Sequence, residues 1–111
     1  MKTLNIKKIL VTIAIGLVSL NPAQASTTWG ASDCGEWVSE SKSNISMRTW
    51  LLGFMTGLGA MHELSGKTDN PLSKINSAQQ IYLWMDNYCQ KNPLKTVSLG
   101  GVDLFFELIK K

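Results

Sequence analysis

The chain holds two cysteines, and one of them, Cys89, lies in its clearest helix signal. That signal is the stretch SAQQIYLWMDNYCQKNPL, from Ser77 to Leu94. Ser77 is followed three residues later by Gln80, the spacing of a capping box. Ile81, Trp84, Met85 and Tyr88 recur at helical spacing, and Ala78, Tyr82 and Cys89 widen that apolar side. Asp86, Asn87 and Gln90 are left for water. Asn92-Pro93 stops the helix and is expected to open the next one, with Asn92 as cap and Pro93 in the first turn. A cysteine held in the last turn of a helix constrains the fold strongly once it finds a partner, and Cys34 is the one other cysteine.

Whether the two thiols pair depends on the compartment. Residues 1–25 have the pattern of a secretory signal peptide: Lys2, Lys7 and Lys8, then the apolar run Ile9 to Leu20, then Pro22 and the small-residue pattern Ala23-Gln24-Ala25. The run is about 12 residues, short of the roughly 20 that a spanning helix needs, which favours cleavage over an uncleaved anchor. No lipobox cysteine lies near the cut. The expected product is residues 26–111, a single helical domain in the periplasm, with no stable membrane insertion after cleavage. In an oxidising compartment a pair of thiols usually becomes a disulfide. A metal site would need more ligands than these cysteines and the single histidine, His62, and a redox site would more often show Cys-x-x-Cys spacing. A Cys34–Cys89 bridge is therefore expected. On the chain-entropy model it would contribute about 4 kcal/mol, a large share for so small a domain.

Charge narrows the function further. The three lysines of the signal segment belong to the eleven basic residues of the chain, so eight remain against eight acidic ones. The basic balance of the full chain is thus a property of the export signal, and nucleic acid is not an expected partner.

The remaining sequence reads as helices and loops. Ser26 to Ala31 is expected to be a mobile tail. Ser32 or Asp33 can cap a short helix from Cys34 to about Ser41, with Cys34, Trp37 and Val38 on one side. After a polar linker, Ser46 is expected to cap a longer helix from Met47 to about Leu64. Its apolar face is Trp50, Leu51, Phe54, Leu58 and Met61, while Leu52 and Met55 lie outside that face. Gly53, Gly57 and Ala60 share another face, where small residues would admit a second helix. The loop Ser65 to Asn76 contains Gly66-Lys67-Thr68, a superficial likeness to a phosphate-binding loop. The upstream glycine is missing, because position 61 is methionine, so the likeness is discarded. A final helix is expected from Leu94 to about Lys110, with Leu94, Val97, Gly101, Leu104 or Phe105 and Leu108 on its stripe. Gly100-Gly101 would bend it or bring it close to the Met47–Leu64 helix. The fold class is all-α: a small bundle of about four helices stapled by one disulfide.

The residues Cys-Gly-x-Trp at Cys34 to Trp37, WLLGFMTGL at Trp50 to Leu58, and LWMDNYCQKNPL at Leu83 to Leu94 occur in this order. In this the chain resembles the small exported proteins grouped with the Rap/Tai immunity proteins of type VI secretion. The most specific part is W-x-x-x-Y-C-x-x-N-P, carried by Trp84, Tyr88, Cys89, Asn92 and Pro93. The resemblance implies a disulfide-bonded helical protein of the periplasm. It further implies a non-catalytic inhibitor that binds a peptidoglycan amidase delivered by a rival cell. The architecture also resembles that of HdeA-type acid-stress chaperones, without a close motif match.

Three functions follow as expectations: an immunity-type inhibitor, an acid-stress chaperone, and a periplasmic protein of another role that shares only the scaffold. No nucleophile–base pair, metal set or cofactor loop can be assembled, so the chain is read as a non-enzyme without cofactor. Its partner is expected to be a protein, a secreted cell-wall amidase on the first reading, with a homodimer as a further candidate assembly. The loop after the second helix offers Lys67, Asp69 and Asn70 as candidate partner-binding residues, because loops on a rigid scaffold commonly carry recognition.

Overall fold

A computed structural model describes residues 28–67 and 69–111. The signal-peptide reading of residues 1–25 lies outside them. Asp33 starts helix α1, Cys34–Glu40. Its carboxylate accepts a hydrogen bond from the Glu36 N–H at 2.8 Å, and Glu36 reaches back to the Asp33 N–H at 3.4 Å. Two N–H groups that a helix start would leave unsatisfied are thereby paired.

Helix α2 spans Ile45–Leu64 and is capped by Asn44, whose Oδ1 accepts from the Ser46 and Met47 N–H groups. The sequence expectation of a Ser46 cap is thus two residues late. Asn44 already satisfies the amide of Ser46, and the helix runs through it. A 3₁₀ turn, Pro71–Lys74, follows a loop and is capped by Asn70. Helix α3 spans Ala78–Lys91. Ser77 precedes it but makes no side-chain cap bond, and Gln80 accepts instead from the Asn76 N–H at 2.7 Å.

Helix α4 spans Val97–Lys110 and begins three residues later than the expected Leu94. Asn92 ends α3, its N–H donating to the Tyr88 carbonyl at 2.9 Å, and Pro93 and Leu94 lie in the turn that follows. Leu94 is 98% exposed, so it does not belong to the core stripe. Thr96 is the true cap, accepting from the Leu99 N–H. Two backbone bonds explain the delay. The Cys34 N–H donates to the Lys95 carbonyl and the Val97 N–H to the Ser32 carbonyl, both at 2.9 Å. This short antiparallel bridge between Asp33 and Thr96 holds Thr96 extended, so the helix starts only after it. Among the described residues no helix is long and apolar enough to cross a membrane.

The four described helices are joined by the Cys34–Cys89 disulfide, which ties α1 to the last turn of α3. Both cysteines are fully buried, in a core with Trp37, Leu51, Met55, Ile81, Met85, Val97, Leu104, Phe105 and Leu108. Asp86, expected to face water, accepts a hydrogen bond from the Trp37 indole N–H at 2.7 Å. Helix α4 packs between α2 and α3 by means of adjacent glycines. A Cβ at Gly100 would stand 2.7 Å from Met85 Sδ, and one at Gly101 would stand 2.9 Å from the Phe54 ring. Close contact with α2 is therefore realised at Gly101, while Gly100 serves α3.

The buried side of α2 differs from the expected one. Leu51, Met55 and Gly59 are buried, whereas Met61 is 65% exposed. A Cβ placed at Gly53 or at Gly57 would meet nothing within 4 Å, so the expected helix contact on the Gly53–Gly57–Ala60 face is not made among the described residues. The small residue that does admit a neighbour is Gly59, against Asn70 and Leu72. The helix is apolar on most of its circumference, so its own periodicity does not single out the side that α3, α4 and the 3₁₀ turn cover. Residues 28–31 also depart from the mobile-tail expectation: the Trp29 carbonyl accepts from the Trp50 indole at 2.8 Å and Thr28 donates to Ser98.

Candidate functional site

An open cleft of about 420 Å³ lies where the C-terminal ends of α2 and α4 meet the loop and the 3₁₀ turn. Its walls are His62, Lys67, Asp69, Asn70, Pro71, Ser73, Lys74 and Ile109. The three residues proposed from sequence, Lys67, Asp69 and Asn70, are thus brought to one place. Their environments differ. Lys67 and Asp69 are exposed. Asn70 is half-buried and serves the fold: its amide donates to Glu63 at 2.9 Å, and its oxygen accepts from the Leu72 N–H at 3.0 Å. The Asn70 side chain also lies against Gly59, where any Cβ would come within 2.9 Å of it. Asn70 therefore fixes the position of the cleft wall, and Lys67 and Asp69 are the polar groups that it presents.

The loop reaches this place for local reasons. Gly66 has a φ of 88°, a backbone conformation open to glycine, and lets the chain turn away after α2. Pro71 is preset for the first position of the 3₁₀ turn, and it is buried. Two cleft residues, His62 and Lys74, could not be assigned there from sequence. The His62 ring meets the Phe105 ring edge-on, with centroids 5.7 Å apart, so it is a packed wall. Lys74 Nζ donates to the Leu108 carbonyl at 2.6 Å, placing a cation at the C-terminal end of α4, where the helix dipole favours it. Its bonding partner is 34 residues away, and no local pattern announces that pairing.

The cleft presents the Lys67 ammonium, the Asp69 carboxylate, the Asn70 amide and an apolar wall at Ile109. That combination suits recognition of a mixed polar surface. Among the described residues no group of three His, Cys, Asp or Glu side chains could hold a metal ion. A phenol of perturbed acidity lies elsewhere, between α3 and α4. Burial first, then the negative charge of Asp103, pushes the Tyr88 phenol above its ordinary value. The Tyr88 hydroxyl is enclosed and outside good hydrogen-bonding geometry with any partner among the described residues. Comparison of the chain with family models, with curated proteins and with solved structures finds no match.

Proposed function

We propose that this chain is an exported, non-catalytic binding protein that occludes a secreted peptidoglycan amidase, as Rap/Tai-type immunity proteins do. The reading rests on the ordered motifs around Cys34, Trp50 and Cys89. The observation that carries it to a surface is the exposure of Lys67 and Asp69 on a cleft wall that Asn70 holds in place. A recognition loop that is already ordered loses less entropy on binding than a flexible one. Specific occlusion needs about 1,200–2,000 Å² of total interface, more than this loop supplies. The exposed Leu64, at the end of α2 where the loop begins, and Ile109 of the cleft wall add apolar surface to it.

The test is co-purification with cell-wall amidases secreted by the same strain and its competitors, followed by titration of the purified pair. Binding is expected, with inhibition of peptidoglycan hydrolysis. Lys67→Ala with Asp69→Ala is expected to weaken it by tenfold or more, roughly 1.4 kcal/mol. No binding to any such amidase would refute the reading. Binding that is unchanged in the double variant would move the interface to another face.

A second reading, the acid-stress chaperone, has its own observation. Glu63, Asp86 and Glu107 all accept hydrogen bonds that hold elements together, and Asp33 caps α1. Strong acid protonates carboxylates while lysine and arginine stay charged, so it weakens these ties and adds self-repulsion. Suppression of client aggregation at low pH would favour this reading over inhibition.

A further inference from the structure

We infer that α1, with the segment 28–33 that leads into it, is a latch closed by oxidation: the Cys34–Cys89 disulfide fastens it to a three-helix body that stays folded when the bond is reduced. A helix of seven residues cannot hold itself together in water, because it is too short to offset the cost of nucleation. Its order must come from what it docks on, which is chiefly α3. Apart from the disulfide, α1 is held by the Trp37 side chain, with its bond to Asp86, and by the two backbone bonds of the Asp33–Thr96 bridge, all along α3 and the entry to α4. The segment before it adds two hydrogen bonds, from the Trp50 indole of α2 to the Trp29 carbonyl and from Thr28 to Ser98 of α4.

The body has a separate basis. Leu51 and Met55 of α2, Ile81 and Met85 of α3, and Leu104 and Leu108 of α4 are buried and come from three different helices. The glycine pair on α4 locks α2 and α3 onto it without any atom of α1. Position matters as well. The disulfide lies at the end of the bundle where α4 starts, and the cleft at the end where α4 stops. Val97 and Ile109 are about 18 Å apart along the helix. Opening the latch therefore leaves the cleft wall intact.

Reduction balances simply. A small dithiol passes two electrons to the Cys34–Cys89 bond and closes to its own cyclic disulfide, and its two protons end on the two cysteine thiols. Both cysteines are fully buried, so the dithiol reaches the bond through a brief local opening around it. Once reduced, the chain from 28 to 41 regains its conformational freedom, and Trp37, the bridge and the two hydrogen bonds of Thr28 and Trp29 do not offset that gain.

Hydrogen exchange read by mass spectrometry tests this on the oxidised protein, on the same protein under dithiothreitol, and on the Cys34→Ser, Cys89→Ser double variant without reductant. Amides of residues 34–41 are expected to lose about 100-fold or more of their protection in both reduced-like states, while peptides within α2, α3 and α4 change by less than about tenfold. Unchanged protection of α1 would show that the disulfide is not its fastener. A comparable loss across all four helices, or failure of the double variant to fold, would show that no separate body exists. Either result overturns the inference.

Discussion

Alanine at Gly57 and alanine at Gly100 are the same chemical change in two helices, and their neighbours give them opposite signs. At Gly57 a Cβ would meet nothing within 4 Å, whereas at Gly100 it would stand 2.7 Å from Met85 Sδ and 2.8 Å from a Tyr88 ring carbon. Each substitution removes a glycine from a helix interior, which favours folding by about 1 kcal/mol. At Gly57 nothing opposes that gain, so the variant is expected to be more stable by about 0.5–1 kcal/mol. At Gly100 contacts under 3 Å force α4 off α3 or drive Met85 out of its rotamer, and such overpacking costs about 1–3 kcal/mol. The Met85 thioether can turn aside, but Met85 is fully buried and has little room, and the Tyr88 ring is rigid. The net at Gly100 is a loss of roughly 0–2 kcal/mol, so the variants differ by about 0.5–3 kcal/mol. In a domain of this size each kcal/mol moves Tm by about 4–8 °C. Thermal unfolding of the oxidised proteins by far-UV circular dichroism reads this directly. A Gly57→Ala Tm below the parent, or a Gly100→Ala Tm at or above that of Gly57→Ala, would refute the assignment of open and packed faces.

Two more outcomes follow from single side chains. The folded state holds the Tyr88 phenol above its ordinary value, so it favours the neutral form. That contribution is fully present below about pH 10 and is lost as pH rises through the folded value, because the unfolded chain ionises first. Tyr88→Phe should therefore flatten the alkaline decline in urea-measured stability without loss at neutral pH; an unchanged decline would contradict it. Trp37→Phe removes the indole donor to Asp86, and a hydrogen bond to a charged group contributes about 1.5–3 kcal/mol. A cycle with Asp86→Ala should show coupling of at least about 1 kcal/mol, and additive effects would mean that the bond contributes nothing.

The helix count and the disulfide were legible in the sequence because both rest on local or categorical signals. Apolar spacing around Ile81, Met85 and Cys89 marks α3 whatever it packs against, and two cysteines leave a single intramolecular pairing. Asp33 was readable as a cap because a cap is a matter of neighbours three residues apart. The candidate site was legible in part: Lys67 and Asp69 belong to a loop that sequence alone marks as exposed. That His62, Lys74 and Ile109 complete the same cleft was not legible, since they come from three other elements.

What the chain's own sequence determined, then, is every feature whose cause lies within a turn or two of helix. Tertiary structure decided the rest. The start of α4 moved from Leu94 to Val97 because backbone bonds from Ser32 and Cys34 claim that segment. The bonds come from the far side of the disulfide, and no window around Pro93 contains them. Helix α2 is apolar on most sides, so only the arrival of α3, α4 and the 3₁₀ turn settled that Leu51, Met55 and Gly59 are covered while Gly53 and Gly57 are open. Asp86 looked like a solvated residue until Trp37, 49 positions away, supplied a donor at 2.7 Å. The physical reason is the same in each case: periodicity states which residues can be buried together, and only the docking of a second element states which of them are.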